Sequence, residues 1–372
     1  MKASSAERVL ILVLLSLTTA LSNAVTAPTT IPLEQGLTLF SATSERQGDY
    51  ESTLTVDGMD ADGGELHLTT STELPNPEGG KRIPVSFTRD VRAEDREQAR
   101  TYKYMFSAGE DEFPGTTAMG TSAAVIAELR ARGQAVITLD GRYGDVAALV
   151  SNFLTLLPGN DSKSAAGEYL TATGTIYAVD AKPMGYSMIV NDTLVSLSAW
   201  HVKGTFTQNG KPVPIEWYIS DDPANPLTLR AAFGKDKTEI TRISFPVDSA
   251  VKTLETSLAE TRRAVIYGIF FDFNSATIKP QSETTLRTIV EVLNKNPDWS
   301  LNVEGHTDNI GGDSQNQDLS ARRAAAVRTA LIQRGIAEKR LVTAGFGAAV
   351  PRDSNATLAG RAHNRRVELT RQ

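Results

Sequence analysis

The hydrophobic residues of this chain follow two different periodicities, and the change falls near residue 250. Before that point the dominant period is two, so that apolar and polar positions alternate. The clearest alternating segments are residues 83–87, 102–106, 213–219 and 227–233. Alternation places one face of a strand on a core and the other face in water. Residues 31–246 are therefore predicted to form a mainly antiparallel β domain, as a sandwich or a partly closed barrel.

A helical insertion is predicted within this β domain. Ser122 is a candidate N-cap, apolar residues recur after it at helical spacing, and Gly133 is a stop signal directly after Arg132. A second, weaker helical pattern runs from Gly144 to Leu157. Hairpin turns are expected where an aspartate or asparagine precedes glycine, because these residues tolerate the positive φ of tight turns. The candidate turns are Asp57-Gly58, Asp140-Gly141 and Asn209-Gly210.

Residues 247–264 are predicted to form a helix that connects the two parts of the chain. Val251, Leu254 and Leu258 recur at helical spacing, and charged residues occupy the positions between them. We expect this helix to pack on one domain and to set the distance to the other.

The C-terminal third, residues 265–372, alternates between strand and helix patterns. It begins with an unbroken apolar run at 265–271, which is typical of a strand buried on both faces. Helical spacing follows at 280–296 and 316–335, and further strands are expected at 301–308, 341–346 and 367–369. This order, βαβαββ, predicts an α/β sandwich with helices on one face of a small mixed sheet. The fold class of the whole chain is then α+β.

The N-terminus has the pattern of a secretory signal peptide, predicted at residues 1–24. Lys2 and Arg8 flank the start of an apolar core, and small residues follow it. The core, residues 9–17, is too short to span a bilayer, which requires about 20 residues. Cleavage is expected after Ala24 or Ala27, which would send the mature protein out of the cytoplasm.

Composition and charge exclude several classes of protein. Hydrophobic residues make up 40% of the chain and charged residues 22%, with a net charge of -6, so a chain-wide nucleic-acid binder is not expected. The absence of cysteine excludes disulfide scaffolds, thiol nucleophiles and a lipid-modified N-terminal cysteine. Residues 265–372 carry fourteen Lys and Arg against eleven Asp and Glu, a net +3 that leaves -9 for the rest. This asymmetry suggests two modules with different partners.

Four motifs in the C-terminal third resemble those of the OmpA-like peptidoglycan-binding domain. They are Phe271-Asp-Phe-Asn-Ser275, Glu304-Gly-His-Thr-Asp-Asn-Ile-Gly311, Asn316-x-x-Leu-Ser-x-x-Arg-Ala324 and Asn364-Arg-Arg-Val-Glu368. Their order and spacing also match, which makes the resemblance specific. It covers residues 265–372 and does not extend to residues 25–250.

The resemblance implies non-covalent binding of peptidoglycan through the diaminopimelate residue of its peptide stem. In the family an Asp and an Arg of these motifs hold the ligand, and they correspond to Asp308 and Arg323. By the same resemblance, three residues line the pocket and three border it. The lining residues are Thr307, Asn316 and Leu319, and the bordering residues are Asp272, Asn364 and Arg365.

The chemistry of that ligand suits the two charged residues. Diaminopimelate ends in a zwitterion, with an ammonium and a carboxylate on one carbon, so a receptor needs a fixed anion and a fixed cation close together. Asp308 lies at the C-terminal end of a predicted strand, and Arg323 lies on the next predicted helix. The planar guanidinium of Arg323 can bind both oxygens of a carboxylate. Ligands of α/β folds commonly bind at such strand-to-helix turns.

Other ligands are not expected. His306, Asp308 and His363 include two histidines far apart in sequence without a further ligand nearby, so no metal and no cofactor are predicted. The arginine pairs at 322–323 and 365–366 lack the aromatic residues and motifs of a nucleic-acid site, so no nucleic-acid partner is expected.

The sequence therefore predicts a binding protein and not an enzyme: a periplasmic tether associated with the cell wall. Its β domain is expected to engage another outer-membrane or periplasmic protein. The alternatives are an outer-membrane β-barrel with a periplasmic wall anchor, a wall-localised hydrolase and a lipid carrier. The β domain has no Gly-x-Ser-x-Gly or His-Glu-x-x-His motif for a hydrolase. Attachment to the outer membrane and homo-oligomerisation stay open.

Overall fold

A computed structural model describes ten segments of the chain. They are residues 30–45, 48–61, 63–74, 76, 82–103, 114–117, 120–140, 171–208, 210–246 and 250–372. The predicted signal peptide with its cleavage sites, and the weaker helix at 144–157, lie outside the described residues. The fold is α+β, as the sequence predicts, with a large N-terminal sheet and a C-terminal α/β domain.

The N-terminal sheet has thirteen strands among the described residues, and most neighbours are antiparallel. The strands are β1 Thr38–Glu45, β2 Gly48–Met59, β3 Glu65–Leu74, β4 Ile83–Arg92, β5 Thr101–Lys103, β6 Thr116–Thr117, β7 Gln134–Asp140, β8 Thr171–Ala178, β9 Met184–Val190, β10 Thr193–Gln208, β11 Lys211–Ser220, β12 Thr228–Phe233 and β13 Asp236–Ser244. Their order is β4-β3-β2-β1-β13-β12-β11-β10-β8-β7-β5-β6. Strand β9 pairs with both β10 and β13, so five strands close into a ring from which the others extend.

Side chains along the strands of this sheet alternate between buried and exposed positions, as the period of two predicts. In β11, Ile215, Trp217 and Ile219 are buried, while the residues between them are at least partly exposed. Trp217 is packed edge-on by Tyr102 and Phe233. Full burial of one such side chain stabilises the fold by roughly 1.5 to 3 kcal/mol.

The predicted helical insertion is confirmed. In the described part of the N-terminal domain, two helices are inserted between strands, α1 Ala93–Gln98 and α2 Ala123–Arg132. Helix α2 buries its predicted apolar face and ends at Gly133, whose φ of +65° is favourable for glycine. Ser122 stands at the N-cap position of α2, as expected, but its buried hydroxyl makes no hydrogen bond to the first turn of the helix.

Two local predictions were wrong. The Asp57-Gly58 pair does not form a hairpin turn but lies at a bulge inside β2, and the connection to β3 begins at Asp60, whose backbone N–H donates to the carbonyl oxygen of Glu65. A glycine and one extra residue weaken the pairing at this point without ending the strand. The apolar run at 265–271 is a strand only as far as Ile266. Of its later residues, Ile269 is buried in the C-terminal core and Phe271 packs against that core, whereas Phe270 stacks on Phe40 of the N-terminal sheet. These contacts explain the apolar character of the run beyond the end of the strand.

The C-terminal domain has a four-stranded sheet in the order β14-β17-β15-β16. Its elements are α3 Ala250–Glu260, β14 Arg263–Ile266, α4 Glu283–Lys295, β15 Leu301–Gly305, α5 Asp313–Gln333, β16 Leu341–Gly345, α6 Leu358–Asn364 and β17 Val367–Arg371. Strands β15 and β16 are parallel, and β17 is antiparallel to β14 and β15. This is the predicted βαβαββ order with one added helix, α6.

The connecting helix α3 packs on the C-terminal domain. Leu254 and Leu258 are buried in the same core as the residues of α4, α5 and the small sheet. Among the described residues, no helix is long and apolar enough to cross a membrane.

Two glycines let α5 lie directly on the small sheet. A Cβ at Gly305 of β15 would lie 2.2 Å from the carbonyl oxygen of Ser320, and one at Gly345 would lie 2.4 Å from the backbone nitrogen of Ala321. These are backbone atoms of α5, so the crowding could be relieved only by moving the helix. The close approach fixes the distance between the end of β15 and the residues of α5 that follow Ser320.

One face of strands β1–β3 covers a hydrophobic core of the N-terminal domain, and the opposite face contacts the C-terminal domain. On that face Arg242 of β13 is the cross-strand partner of Phe40 of β1. The Phe40 ring stacks on the Phe270 ring of the C-terminal domain, with centroids 4.9 Å apart. The Arg242 guanidinium lies over both rings and donates a hydrogen bond to the carbonyl oxygen of Tyr267. Arg242 is 7% exposed, so a charged side chain is buried between the domains.

The glycine contact gives a prediction for stability. Gly305→Ala would push α5 away from β15, and overpacking of this kind costs about 1 to 3 kcal/mol or more. We expect the free energy of unfolding, measured by urea denaturation, to fall by at least that amount. Gly58→Ala is the matched control, because no atom lies within 4 Å of the added Cβ and φ is not in the left-handed region. An equal loss in both variants would contradict the close-contact explanation.

Candidate ligand-binding site

Asp308 lies three residues after the end of β15 and is 8% exposed. Its Oδ1 atom accepts a hydrogen bond from the backbone N–H of Ile310 at 3.0 Å. Its Oδ2 atom accepts one from Arg365 Nη1 at 2.5 Å. The carboxylate is therefore fixed by the backbone on one side and by a guanidinium on the other.

Arg323 extends from α5, the helix held against the sheet by Gly305. Its Nε atom donates to the carbonyl oxygen of Ser275 at 2.9 Å, and its guanidinium lies 4.8 Å from the centroid of the Phe271 ring. Burial, followed by the neighbouring charge of Arg365, lowers the pKa of Arg323 to about 10, so the side chain stays charged at neutral pH. Its terminal nitrogens have no hydrogen-bond partner among the described residues. They are available for an anion.

Arg365 links the candidate site to the N-terminal domain. One terminal nitrogen donates to Asp308, and the other donates to the carboxylate of Glu51 on β2. Burial alone would lower the pKa of Arg365, but the Glu51 and Asp308 carboxylates outweigh it and raise the pKa. Burial raises the pKa of the Glu51 carboxyl, but the guanidinium of Arg365 lowers it by more, so the pKa stays below its usual value. Glu51 and Arg365 form a charged pair whose sum is neutral.

The structure brings seven of the eight predicted site residues to one cavity. Thr307 and Asn316 are buried beside Asp308, and Asn316 Nδ2 donates to the Asp308 carbonyl oxygen at 3.3 Å. The seven residues are Asp272, Thr307, Asp308, Asn316, Leu319, Arg323 and Arg365.

Asn364 is the residue that the structure does not bring to the cavity. Its side chain is fully buried and accepts hydrogen bonds from the backbone of Arg352 and Asp353. It also donates to Asn355 Oδ1, which accepts from the backbone N–H of Asn309. Asn364 thus supports the loop beside Asp308 and does not contact the cavity itself.

A buried ionic cluster lies behind the site. Glu304, His306 and Glu368 place their ligand atoms within 4.8 Å of one another. Arg366 pairs with Glu368 at 2.6 Å, and Arg263 pairs with Glu304 at 2.7 Å. These two guanidinium groups already balance the two carboxylates, so a metal ion would have to displace them. The cluster gives no reason to assign a metal.

The cavity has a volume of about 1050 Å³ and is lined by both domains. Asp308 and Arg323 lie on its C-terminal wall, and the second wall is the outer face of β1–β4. Since Glu51 neutralises Arg365, the charges left for a ligand beside this pair are the Asp308 carboxylate and the Arg323 guanidinium, while Asp272 and Arg82 also line the cavity. A fixed anion beside a fixed cation can bind a zwitterion by two charge-assisted contacts, each contributing about 1.5 to 3 kcal/mol.

Sequence reasoning missed the residues that reach the site from the N-terminal domain. Glu51 contacts Arg365, more than 300 positions later in the chain. Arg242 contacts Tyr267, 25 positions later, across the boundary between the domains. Glu51 lies in an exposed, alternating strand and has no local signal. Arg242 could have been suspected, because it is charged within a buried stretch of β13.

The comparisons with known proteins concern the same part of the chain. Residues 270–365 form an OmpA family domain. The match includes every predicted site residue and leaves the N-terminal sheet uncovered. The resemblance inferred from the four motifs is confirmed.

Individual relatives match only through this domain. The probable lipoprotein YiaD of Escherichia coli (strain K12) is 45% identical over 102 residues, 27% of this chain and 47% of that protein. The peptidoglycan-binding protein ArfA of Mycobacterium tuberculosis (strain H37Rv) is 40% identical over 101 residues, 27% of this chain and 31% of that protein. A solved structure of the peptidoglycan-associated lipoprotein from Burkholderia pseudomallei has 30% identity and a TM-score of 0.27, covering 28% of this chain and 88% of that chain. The chain thus spans less than half the length of these two curated relatives.

The buried His306 predicts a pH dependence of stability. Burial, followed by the charge of Arg366, lowers the pKa of His306 to about 4, against about 6.5 in an unfolded chain. Between these values the unfolded state binds the proton more tightly, so the folded state loses stability as the pH falls from about 6.5 to 4. Lowering the pH from 7 to 5 should cost about 1 to 2 kcal/mol from this residue alone.

His306→Phe isolates that contribution. Neither ring nitrogen has a hydrogen-bond partner among the described residues, and the ring stacks on Phe346, so phenylalanine preserves the main contact. Urea denaturation at pH 7 and pH 5 should give a smaller loss of stability in the variant than in the wild type. Parallel losses would show that His306 does not titrate as described.

Proposed function

We propose that this chain is a peptidoglycan-binding protein of the bacterial cell envelope and that its C-terminal domain holds the diaminopimelate of the peptide stem. The observation that carries the proposal is that one cavity holds Arg323, whose terminal nitrogens have no hydrogen-bond partner among the described residues, together with the fixed carboxylate of Asp308. The OmpA family match and the relative named as peptidoglycan-binding support the same ligand.

In the proposed complex the carboxylate of diaminopimelate accepts hydrogen bonds from the terminal nitrogens of Arg323. The ammonium on the same carbon donates to Asp308, whose position is fixed by Ile310 and Arg365. Thr307, Asn316 and Leu319 line the pocket, Asp272 and Arg365 border it, and Asn364 supports it from behind. After ordering costs, two charged contacts give a weak single site, and the many stems of the polymer increase retention through effective concentration.

The rest of the chain is assigned by the same proposal. Residues 1–24 direct export, residues 31–246 form a β domain that engages another envelope protein, and residues 247–264 connect it to the wall-binding domain at 265–372. The protein acts in the periplasm by binding and not by catalysis. The relatives named as a lipoprotein and as a peptidoglycan-binding protein support an envelope location.

The test is co-sedimentation of the mature protein with purified diaminopimelate-type sacculi, without detergent. Asp308→Asn removes the anion and Arg323→Ala removes the cation. Loss of one charge-assisted contact should weaken wall binding about ten- to a hundredfold. Both variants should therefore stay in the supernatant at concentrations at which the wild type pellets.

Arg322→Ala is the matched control. Arg322 is the neighbour of Arg323 on α5, but it is exposed and pairs only with Asp318, one turn earlier, among the described residues. Its loss should leave pelleting unchanged. Wild-type levels of pelleting in the Asp308 and Arg323 variants, or equal loss in the Arg322 variant, would defeat the proposal.

A further inference from the structure

The second wall of the cavity carries a row of side chains that crosses five strands. Cross-strand pairing aligns them on the face that points toward the C-terminal domain. From one edge inward the row is Ser86 of β4, Ser71 of β3, Thr53 of β2, Phe40 of β1 and Arg242 of β13. The Phe40 and Arg242 end is covered by Phe270, whereas the three hydroxyl residues line the open cavity.

The charged residues beside this row are already paired with the C-terminal domain. Glu51 pairs with Arg365, and Glu73 pairs with Lys279 at 2.8 Å. Asp49, at the start of β2, pairs with Arg361 at 2.9 Å. Arg82 also lines this wall and donates to the backbone carbonyl oxygens of Asp49 and Glu73. The row itself is uncharged and polar. The hydroxyls of Ser71 and Ser86 are 3.1 Å apart, and those of Ser86 and Thr53 donate to carbonyl oxygens of the sheet, so the hydroxyl oxygens are left to accept hydrogen bonds from a ligand.

The cleft between the two walls has a defined width. On one side the domains are joined by the Phe40, Arg242 and Phe270 contact. Asp192, in the turn between β9 and β10, adds a second link, because its Oδ1 atom accepts from the backbone N–H of Tyr267 at 3.0 Å. Since the three ion pairs lie at the other rim, the two walls face each other at a fixed distance. Such a preformed cleft reduces the ordering cost of binding.

The cleft is larger than the proposed amino-acid ligand requires. Its volume of about 1050 Å³ is at the upper end of the range of roughly 300 to 1,000 Å³ found for pockets that hold drug-sized molecules. A single zwitterionic amino-acid terminus between Asp308 and Arg323 would leave most of this space, and the whole hydroxyl row, without a contact.

We propose that the cleft is a composite site in which the diaminopimelate end lies between Asp308 and Arg323 and the rest of the stem peptide lies along the hydroxyl row of Thr53, Ser71 and Ser86. This inference rests on the proposed function. The backbone N–H groups of a peptide can donate hydrogen bonds to the hydroxyl oxygens of this row. The N-terminal domain is then part of the ligand-binding site and not only a module for another partner.

The experiment compares two ligands on the full mature chain by isothermal titration calorimetry. Free meso-diaminopimelate reaches only the C-terminal wall, and an N-acetylated tripeptide that ends in diaminopimelate reaches both walls. We expect the tripeptide to bind about five- to tenfold more tightly, because two or three net hydrogen bonds of modest strength are added.

Paired variants assign that difference to the row. Ser71→Ala/Ser86→Ala should reduce tripeptide affinity to that of diaminopimelate and leave diaminopimelate binding unchanged. Thr69→Ala/Thr88→Ala is the matched control, because this pair is the next one on the same face of β3 and β4 and lies outside the cavity. The control should retain the full tripeptide affinity, and thermal unfolding of both double variants verifies that they are folded.

The outcomes separate the two proposals. Equal affinity of the wild type for both ligands, with binding abolished by Asp308→Asn, would overturn the composite site and keep the proposed function. A tripeptide advantage that survives Ser71→Ala/Ser86→Ala would also overturn it. A gain seen only with a sugar-bearing fragment would place the glycan on the row and contradict the peptide assignment. Absence of binding by either ligand would overturn both proposals.

Discussion

The arrangement of this molecule depends on one buried charge, the Arg242 guanidinium that lies over the stacked Phe40 and Phe270 rings. Its carbon Cζ lies 3.7 Å from the centroid of the Phe40 ring and 4.5 Å from that of Phe270. A desolvated cation–π contact of this kind contributes roughly 2 kcal/mol, but breaking it would leave a charge buried without its partners. The two domains are thereby held in one relative position, and the cavity between them exists because of that position.

Electrostatic pairing across the same interface prepares the site for a zwitterion. The charge difference between the two parts of the chain suggested separate partners, yet several of these charges meet each other at the cavity rim. The pair of Glu51 and Arg365 is the most consequential, because it neutralises one of the two arginines near Asp308. Beside that pair the Asp308 carboxylate and the Arg323 guanidinium remain, which matches a ligand terminus whose own charges sum to zero.

The C-terminal site could be predicted from the sequence because its residues are close along the chain. Asp308 is positioned by the end of β15 and Arg323 by α5, and Gly305 lets this strand and this helix lie in direct contact. The contribution of Glu51 could not be predicted, since it depends on docking of residues more than 300 positions apart. The strand predicted at 265–271 ends early, because Ile269 and Phe271 pack on the C-terminal core and Phe270 stacks on Phe40 of the other domain, and these contacts give the same apolar pattern as a buried strand. Asn364 was associated with the site by motif, but its amide supports a neighbouring loop.

The most direct test of the central claim is equilibrium binding of meso-diaminopimelate and of lysine to the full mature chain, measured by ligand-observed NMR. In both ligands one α-amino group is acetylated and the carboxyl group on the same carbon is amidated. Blocked diaminopimelate then keeps an ammonium and a carboxylate on its other α-carbon, whereas blocked lysine keeps only its side-chain ammonium, so it can contact Asp308 and not Arg323. The account predicts that diaminopimelate binds at least about tenfold more tightly than lysine, which corresponds to one charge-assisted contact. Equal binding of the two amino acids, or no binding of diaminopimelate, would contradict it.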